Sequence, residues 1–520
     1  MALLQVILFL VLSAVALGWI ARHFKFPYPI ALVLGGGALG FVPKLPELQF
    51  DPQSLLVLIL PPILYQAALL TSWRDFKANL RPIGLLAIGL VIATTIAVGA
   101  TLKLLIPDIP WSAAFVLGAI VSPPDAVAAT AILSRLNIPR RIVTVLEGES
   151  LVNDASGLVI YKFAVAAVLT GAFSLWQASL QFVGVAAGGV IVGILLGRLF
   201  VFVHRHLGDA FIEVLTTLAV PYVAYIFAES LHVSGVLAVV AAGIVRGRYS
   251  PEIVSAEMRI IARSVWNLLV FLLNSLIFIL IGVQLSGITT RLTEYSAAEL
   301  FFYGTFVSAV AIAVRFAWVY LATYLPLVFR ALLGRTAALP LEGEVFIMGW
   351  CGMRGIVSLA AALALPHILD DGSAFPERDL LIFLTFVVIA VTLVMQGLTL
   401  KPLIRQLKVG QDWSLQEEHQ RAKVALGKAA IAAIDASAAR EETPSDLAER
   451  IRAEFAEKIT LTVPDGLVLS HSGADVARRL RAVAVSAERQ ELIRLWRENQ
   501  ISDEVLHHLE KDLDYQESRI

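Results

Sequence analysis

Asp125, Glu147, Glu149, Asp154, Lys162, Arg315 and Arg354 are ionisable side chains set in stretches otherwise apolar enough to lie inside a membrane. A charge in a bilayer core costs at least about 2.5–3.5 kcal/mol on insertion scales, so such residues mark ion or proton pathways unless a partner neutralises them. Asp154, in LEGESLVNDASGLVIYKF, offers oxygen to a hard monovalent cation such as Na+ and can equally hold one proton. Ser150, Asn153 and the carbonyls of a nearby interrupted helix could complete its ligand shell. Because Asn153 is neutral, a single carboxylate would carry either one proton or one cation, which argues for 1:1 exchange without net charge movement. Glu149 is close enough to be a second titrating group. Arg315, in AVAIAVRFAWVY, cannot neutralise itself by losing a proton and must pair or reach water. Glu149 is its natural partner, as a structural ion pair. Asp125 can cap a half-helix, attract a cation to the helix break, or do both. Arg354 could balance the C-terminal ends of facing half-helices, Lys162 could line the pathway or snorkel, and Glu147 fits a solvated mouth.

The elements that must hold these residues are apolar spans. The chain has 520 residues, 58% hydrophobic and 16% charged, against about 45–50% and about 25% in ordinary soluble domains. Residues 1–400 carry 44 charged residues and residues 401–520 carry 39, so charge density triples near residue 401. This composition excludes a secreted disulfide scaffold, a nucleic-acid binder and a single-domain soluble enzyme. The single cysteine, Cys351, excludes an internal disulfide or a cysteine cluster. Apolar segments near 2–20, 28–43, 54–70, 81–105, 111–134, 150–172, 176–203, 211–228, 232–246, 265–286, 300–327, 344–366 and 379–400 read as thirteen spans. The first run lacks a basic leader and is read as a span, not a signal peptide. Odd-numbered loops hold 16 Lys and Arg against 4 in the even ones. That bias places the odd loops and the C-terminal tail in the cytoplasm and the N-terminus outside.

Two spans are interrupted. The fifth carries Pro123 and Pro124, neither of which donates a backbone hydrogen bond; the twelfth carries Gly349, Gly352 and Gly355 around Arg354. Interrupted helices at membrane depth line cavities or are buried in protein. They are seven apart in the order of spans, an odd offset, so they run in opposite directions and would be equivalents if spans 1–6 and 8–13 are inverted repeats. That arrangement points to a transporter's binding site. The expected fold is an all-α polytopic membrane protein of about thirteen transmembrane helices with two broken crossing helices. A membrane domain at 1–403 precedes a helical cytoplasmic tail at 404–520, with a loop at 461–474.

The motifs SPPDAVAA (122–129), GESLVNDASGLVIY (148–161), NSLIFILIGVQ (274–284), GMRGIVSLA (352–360) and MQGLTLKPL (395–403) follow one another in a fixed order. In these residues the chain resembles the Na+/H+ exchanger family, in its bacterial electroneutral branch; the tail segment 488–514 is also similar to that branch. The resemblance implies a monovalent cation/proton antiporter, with Na+, or else Li+ or K+, and H+ as substrates. It implies a homodimer among the lipids of the cytoplasmic membrane, with elevator-type alternating access and no cofactor. Under it Asp154 is the ion- and proton-carrying carboxylate, Asn153 its neutral neighbour, Asp125 the acid of the first crossed helix and Arg354 the arginine of the second. Glu149 and Arg315 match the buried ion pair. Ala126 follows the aspartate where many exchangers have proline, and Asn274 stands where animal exchangers often have glutamate.

Two other classes compete. An intramembrane aspartyl protease would use Asp125 and Asp154 around one water, yet neither lies in a GxGD setting. A channel or non-transporting sensor would not need two matched helix breaks. The tail histidines His471, His507 and His508 could report cytoplasmic pH, although a lone histidine on a soluble helix usually reports nothing.

Overall fold

The two proline pairs of this chain behave differently. The computed structural model describes residues 2–24, 28–40, 52–133, 138–171, 175–289, 291–332, 341–369, 372–409, 414–440, 445–460 and 471–517. Pro123 and Pro124 separate the half-helices Trp111–Val121 and Ala126–Leu133, whereas Pro61 and Pro62 lie inside the continuous helix Pro52–Leu70. A proline removes the bond to the carbonyl four residues earlier. For Pro62 that carbonyl belongs to Leu58, and the Tyr222 hydroxyl donates to it at 2.9 Å. With the freed acceptor satisfied, the helix continues.

The described residues are helical, with an isolated bridge between Ile368 and Ala374. Seven helices among them are long and apolar enough to cross a membrane: Leu80–Leu105, Arg140–Thr170, Ser179–His204, Ala210–Ser230, Met258–Leu280, Ala297–Val328 and Arg378–Gln406. Shorter apolar helices occupy Leu8–His23, Tyr28–Gly40, Val57–Leu70 and Trp111–Val121. Helix Gly235–Ile253 covers the ninth apolar segment, and the twelfth is divided into Glu342–Trp350 and Ile356–Leu363. Many large apolar side chains on the long helices are exposed, among them Leu195, Phe202, Phe301 and Leu321, as expected where lipid replaces water. The half-helix Trp111–Val121 is the opposite case. Residues 116–121 are all buried, so this segment is apolar all round because protein surrounds it.

The chain divides into two compact units. One comprises residues 1–200, 218–247 and 266–411; the other comprises 201–217, 248–265 and 412–520. In the second unit, helices Ser414–Arg440, Ser445–Thr460, His471–Arg497 and Asp503–Glu517 pack on a core that includes Leu426, Ile434, Phe455, Leu492, Val505 and Leu509. Ala422, Leu426, Ala430 and Ile434 recur every four residues, which puts them on one helix face. Helix begins at His471 inside the segment expected as a loop, and the rest of that loop lies outside the described residues. Buried Arg259 holds this unit together. Its Nη2 donates to Asp514 at 2.7 Å, Glu510 stands 3.4 Å from its Nη1, and Arg489 reaches Asp514 at 3.0 Å.

Candidate ion site at the crossing of two broken helices

The helix Arg140–Thr170 carries Glu149, Ser150, Asn153, Asp154 and Ser156, of which Ser150 and Asn153 bond the first break. Their spacing of one, four, five and seven residues from Glu149 places most of them on adjoining turns. Asn153 Nδ2 donates to the Pro124 carbonyl at 3.1 Å, and the Ala126 amide donates to Ser150 Oγ at 3.3 Å. The second half-helix therefore receives its cap from a neighbouring helix. Asn153 Oδ1 is buried with no hydrogen-bond partner among the described residues, so one oxygen remains facing inward. Ser156 donates to the Ala87 carbonyl, in a π-helical turn at Leu85–Leu90.

The two breaks are joined at backbone level. The Asp125 amide donates to the Met353 carbonyl at 2.7 Å. Its carboxylate accepts from the Ile356 amide at 3.4 Å, at the N-terminus of Ile356–Leu363. Asp125, expected to cap a half-helix, to attract a cation to the break, or both, reaches the start of the other half-helix, where the helix dipole favours negative charge. Arg354 answers from the opposite direction. Its Nε donates to the Val121 carbonyl, the last residue of Trp111–Val121, at 3.0 Å, and its Nη2 donates to Ala311 at 3.2 Å. Its guanidinium is buried and its hydrogen bonds go to backbone carbonyls, including Gly352.

The glycines of the second break are there for space. A Cβ at Gly349 would meet the Phe316 ring at 2.9 Å, one at Gly352 would strike Arg315, and one at Gly355 would overlap the Asp125 carboxylate. Gly355→Ala is therefore expected to force the two breaks apart. Overpacking costs about 1–3 kcal/mol, and each 1.4 kcal/mol is about tenfold in rate. Vesicle exchange rates at matched protein content should fall by about tenfold or more; an unchanged rate would show that the contact is dispensable.

Glu149 and Arg315 meet in a bidentate pair, with Nη1–Oε1 at 2.6 Å and Nη2–Oε2 at 3.0 Å, both side chains 1% exposed. Arg315 also donates to the Met348 carbonyl at 3.1 Å, in the last turn of Glu342–Trp350. Asp154 differs. It is 7% exposed, and its side chain makes no hydrogen bond or ion pair with the described residues. Glu147 is exposed. Lys162 is 58% exposed and bonded to Glu229 at 2.9 Å, which gives it a partner that the sequence did not indicate.

Some polar groups at the site had no role assigned from the sequence. Thr392 Oγ1 accepts the Arg354 amide at 3.1 Å from a π-helical turn at Thr392–Gln396. Gln396 is fully buried, with neither amide atom hydrogen-bonded among the described residues. Ser358 Oγ, Asn274 Oδ1 and Ser275 Oγ are also buried without partners there. A polar residue within an apolar run was the available signal for Gln396; nothing local announced the π turns.

Residues 9–406 match the family model described as sodium/hydrogen exchanger, transmembrane. The chain belongs to the sodium/hydrogen exchanger family. This family member is 34% identical to an uncharacterized Na+/H+ exchanger of Mycobacterium tuberculosis (strain ATCC 25618 / H37Rv), over 99% of the chain and 96% of the relative. It is 32% identical to the sodium, potassium, lithium and rubidium/H+ antiporter of Bacillus subtilis (strain 168), over 97% of the chain and 76% of that protein. Its fold is similar to that of the sodium proton antiporter MjNhaP1 from Methanocaldococcus jannaschii, with TM-score 0.63 and 20% identity over 78% of the chain and 99% of that structure. The exchanger is a multi-pass membrane protein of a monovalent cation/proton antiporter family.

Proposed function

We propose that this chain exchanges Na+ for H+ across the cytoplasmic membrane, electroneutrally and one for one, with Asp154 as the shared binding group. One observation carries the reading: Asp154 is a buried carboxylate without a hydrogen-bond or ion-pair partner among the described residues, next to the residue that holds the first helix break. A buried charge must be neutralised, and here either a proton or a cation can do so. Competition for one group supplies the coupling, because a carrier holding neither ion would not cross. Asn153 Oδ1 and Ser150 Oγ are oxygens suited to a hard cation.

Charge bookkeeping supports the ratio. The Glu149–Arg315 pair, an acid and a base in direct contact, adds no net charge to the site. Asp125, Asp154 and Arg354 together leave a single negative charge that one Na+ or one H+ cancels. Thirteen spans in inverted repeats, an outside N-terminus, a cytoplasmic tail at 404–520 and an elevator movement of a homodimer complete the proposal. The two helix breaks and the exposed apolar helix faces support it. A second reading, K+/H+ exchange by the same mechanism, is favoured by the potassium named for the Bacillus subtilis relative.

The test uses purified protein in liposomes with an acid interior and a lumenal pH dye. Pulses of Na+, Li+, K+ and Rb+ are applied outside, with and without a voltage clamp. Lumenal alkalinisation by Na+, unaltered by the clamp, is the expected result. A response to K+ equal to that to Na+ establishes the second reading, and a voltage-dependent rate overturns the 1:1 ratio. The absence of any cation response from folded protein overturns transport altogether.

A further inference from the structure

The first and last helices of the tail bring two histidines and a carboxylate together. His419 lies on Ser414–Arg440; His508 and Asp512 lie one turn apart on Asp503–Glu517. Their ligand atoms all fall within 4.8 Å of one another. The imidazole rings meet edge to face, with centroids 4.9 Å apart and planes at 77°. His419 Nε2 is buried and has no hydrogen-bond partner among the described residues. A cleft lined by Glu417, His419, Glu504, Val505 and His508 opens beside them, giving a hydrated ion a way in.

Burial is the largest influence on His419 and, with Lys423 and His508, holds its pKa below the ordinary histidine value; Asp512 opposes them. Lys423, one turn along the same helix, is the charge that opposes a cation here. Arg421 is engaged with Glu417 at 3.1 Å.

We propose that His419, His508 and Asp512 form a site for a divalent transition-metal ion of the zinc class, which clips the first helix of the tail to the last. The donor set decides the class of ion. Two imidazoles and one carboxylate suit zinc and its neighbours, whereas calcium and magnesium require oxygen ligands. Donors around one tetrahedral zinc stand about 3.3 Å apart. The observed spread is about 1.5 Å wider, within reach of side-chain rotation because His508 is exposed and His419 only half-buried. Water takes the fourth position, as in other zinc sites with three protein ligands. The site is separate from the ion site at the helix crossing, and its test does not depend on transport.

Full-length protein, freed of any affinity tag and stripped of metal, is dialysed against micromolar Zn2+, and bound zinc is measured by atomic emission. One zinc per chain is expected, weakened at least tenfold by His508→Ala and by His419→Ala, and retained by His507→Ala, whose histidine faces Glu510. Co2+ in place of zinc should give the visible absorption of a tetrahedral site and lose it in the same variants. Asp512→Asn, which keeps the helix and both rings, provides the check if a histidine variant fails to fold; it too should weaken binding. No zinc on the wild type, equal zinc on the His419→Ala/His508→Ala double variant, or loss in His507→Ala would overturn the proposal.

Discussion

Asp154→Asn is expected to reduce cation-driven proton movement in liposomes to the level of protein-free vesicles, while the protein remains folded. Asparagine is nearly isosteric with aspartate but can neither bind a proton in this range nor offer a charge to a cation. The change removes a buried carboxylate that has no hydrogen bond or ion pair among the described residues. Its stability effect should have the opposite sign to its effect on transport. Burying an unpaired carboxylate is costly and burying an amide is less so, so the thermal midpoint should stay level or rise. Measuring both quantities on one preparation separates a lost ion site from a damaged fold. Appreciable exchange by the variant would remove Asp154 from the centre of the mechanism.

The second large effect concerns Glu149 and Arg315, and there stability should collapse first. Either residue replaced alone by alanine leaves the other charge buried, at a cost of about 3–5 kcal/mol. Replacing both by apolar residues of similar size, as in Glu149→Leu/Arg315→Met, should recover much of that loss, since buried pairs exchanged for packed apolar groups are often near neutral. Recovery should be incomplete because Arg315 also satisfies the Met348 carbonyl. Thermal unfolding in detergent of both single variants and the double gives the ordering directly. A double variant as unstable as the sum of the singles would show that the two side chains act separately.

Much of the site was legible in the sequence because the cost of a buried charge is a property of the residue itself. Asp154, Glu149, Arg315 and Arg354 stand out in apolar runs whatever the fold, and Arg315 in a span requires an acid. Asp125 was harder to read. As a residue following two prolines it can cap Ala126–Leu133, serve the helix break, or do both; in the structure its carboxylate accepts the Ile356 amide of the other broken helix. Lys162 was ambiguous for the same reason, since Glu229 lies on another helix. The zinc-class site escaped notice because His419 and His508 are far apart in sequence, and a single histidine on an amphipathic helix carries no signal.

By itself the sequence determined that this is a membrane protein with a charged helical tail, which buried residues had to find partners, and where backbone hydrogen bonds would be missing. These follow from local chemistry: transfer cost, charge and the absent proline N–H. Only the tertiary structure decided which missing bonds became a break. Pro62 frees the Leu58 carbonyl and Tyr222 fills it, so that helix runs on. At Pro123 and Pro124 the neighbouring backbone groups are taken by Arg354, Met353 and Asn153, from other segments of the chain. The break is held open by those bonds. Likewise Glu149 is neutralised by a residue 166 positions away, while Asp154, five residues further along the same helix, is buried with no hydrogen bond or ion pair among the described residues.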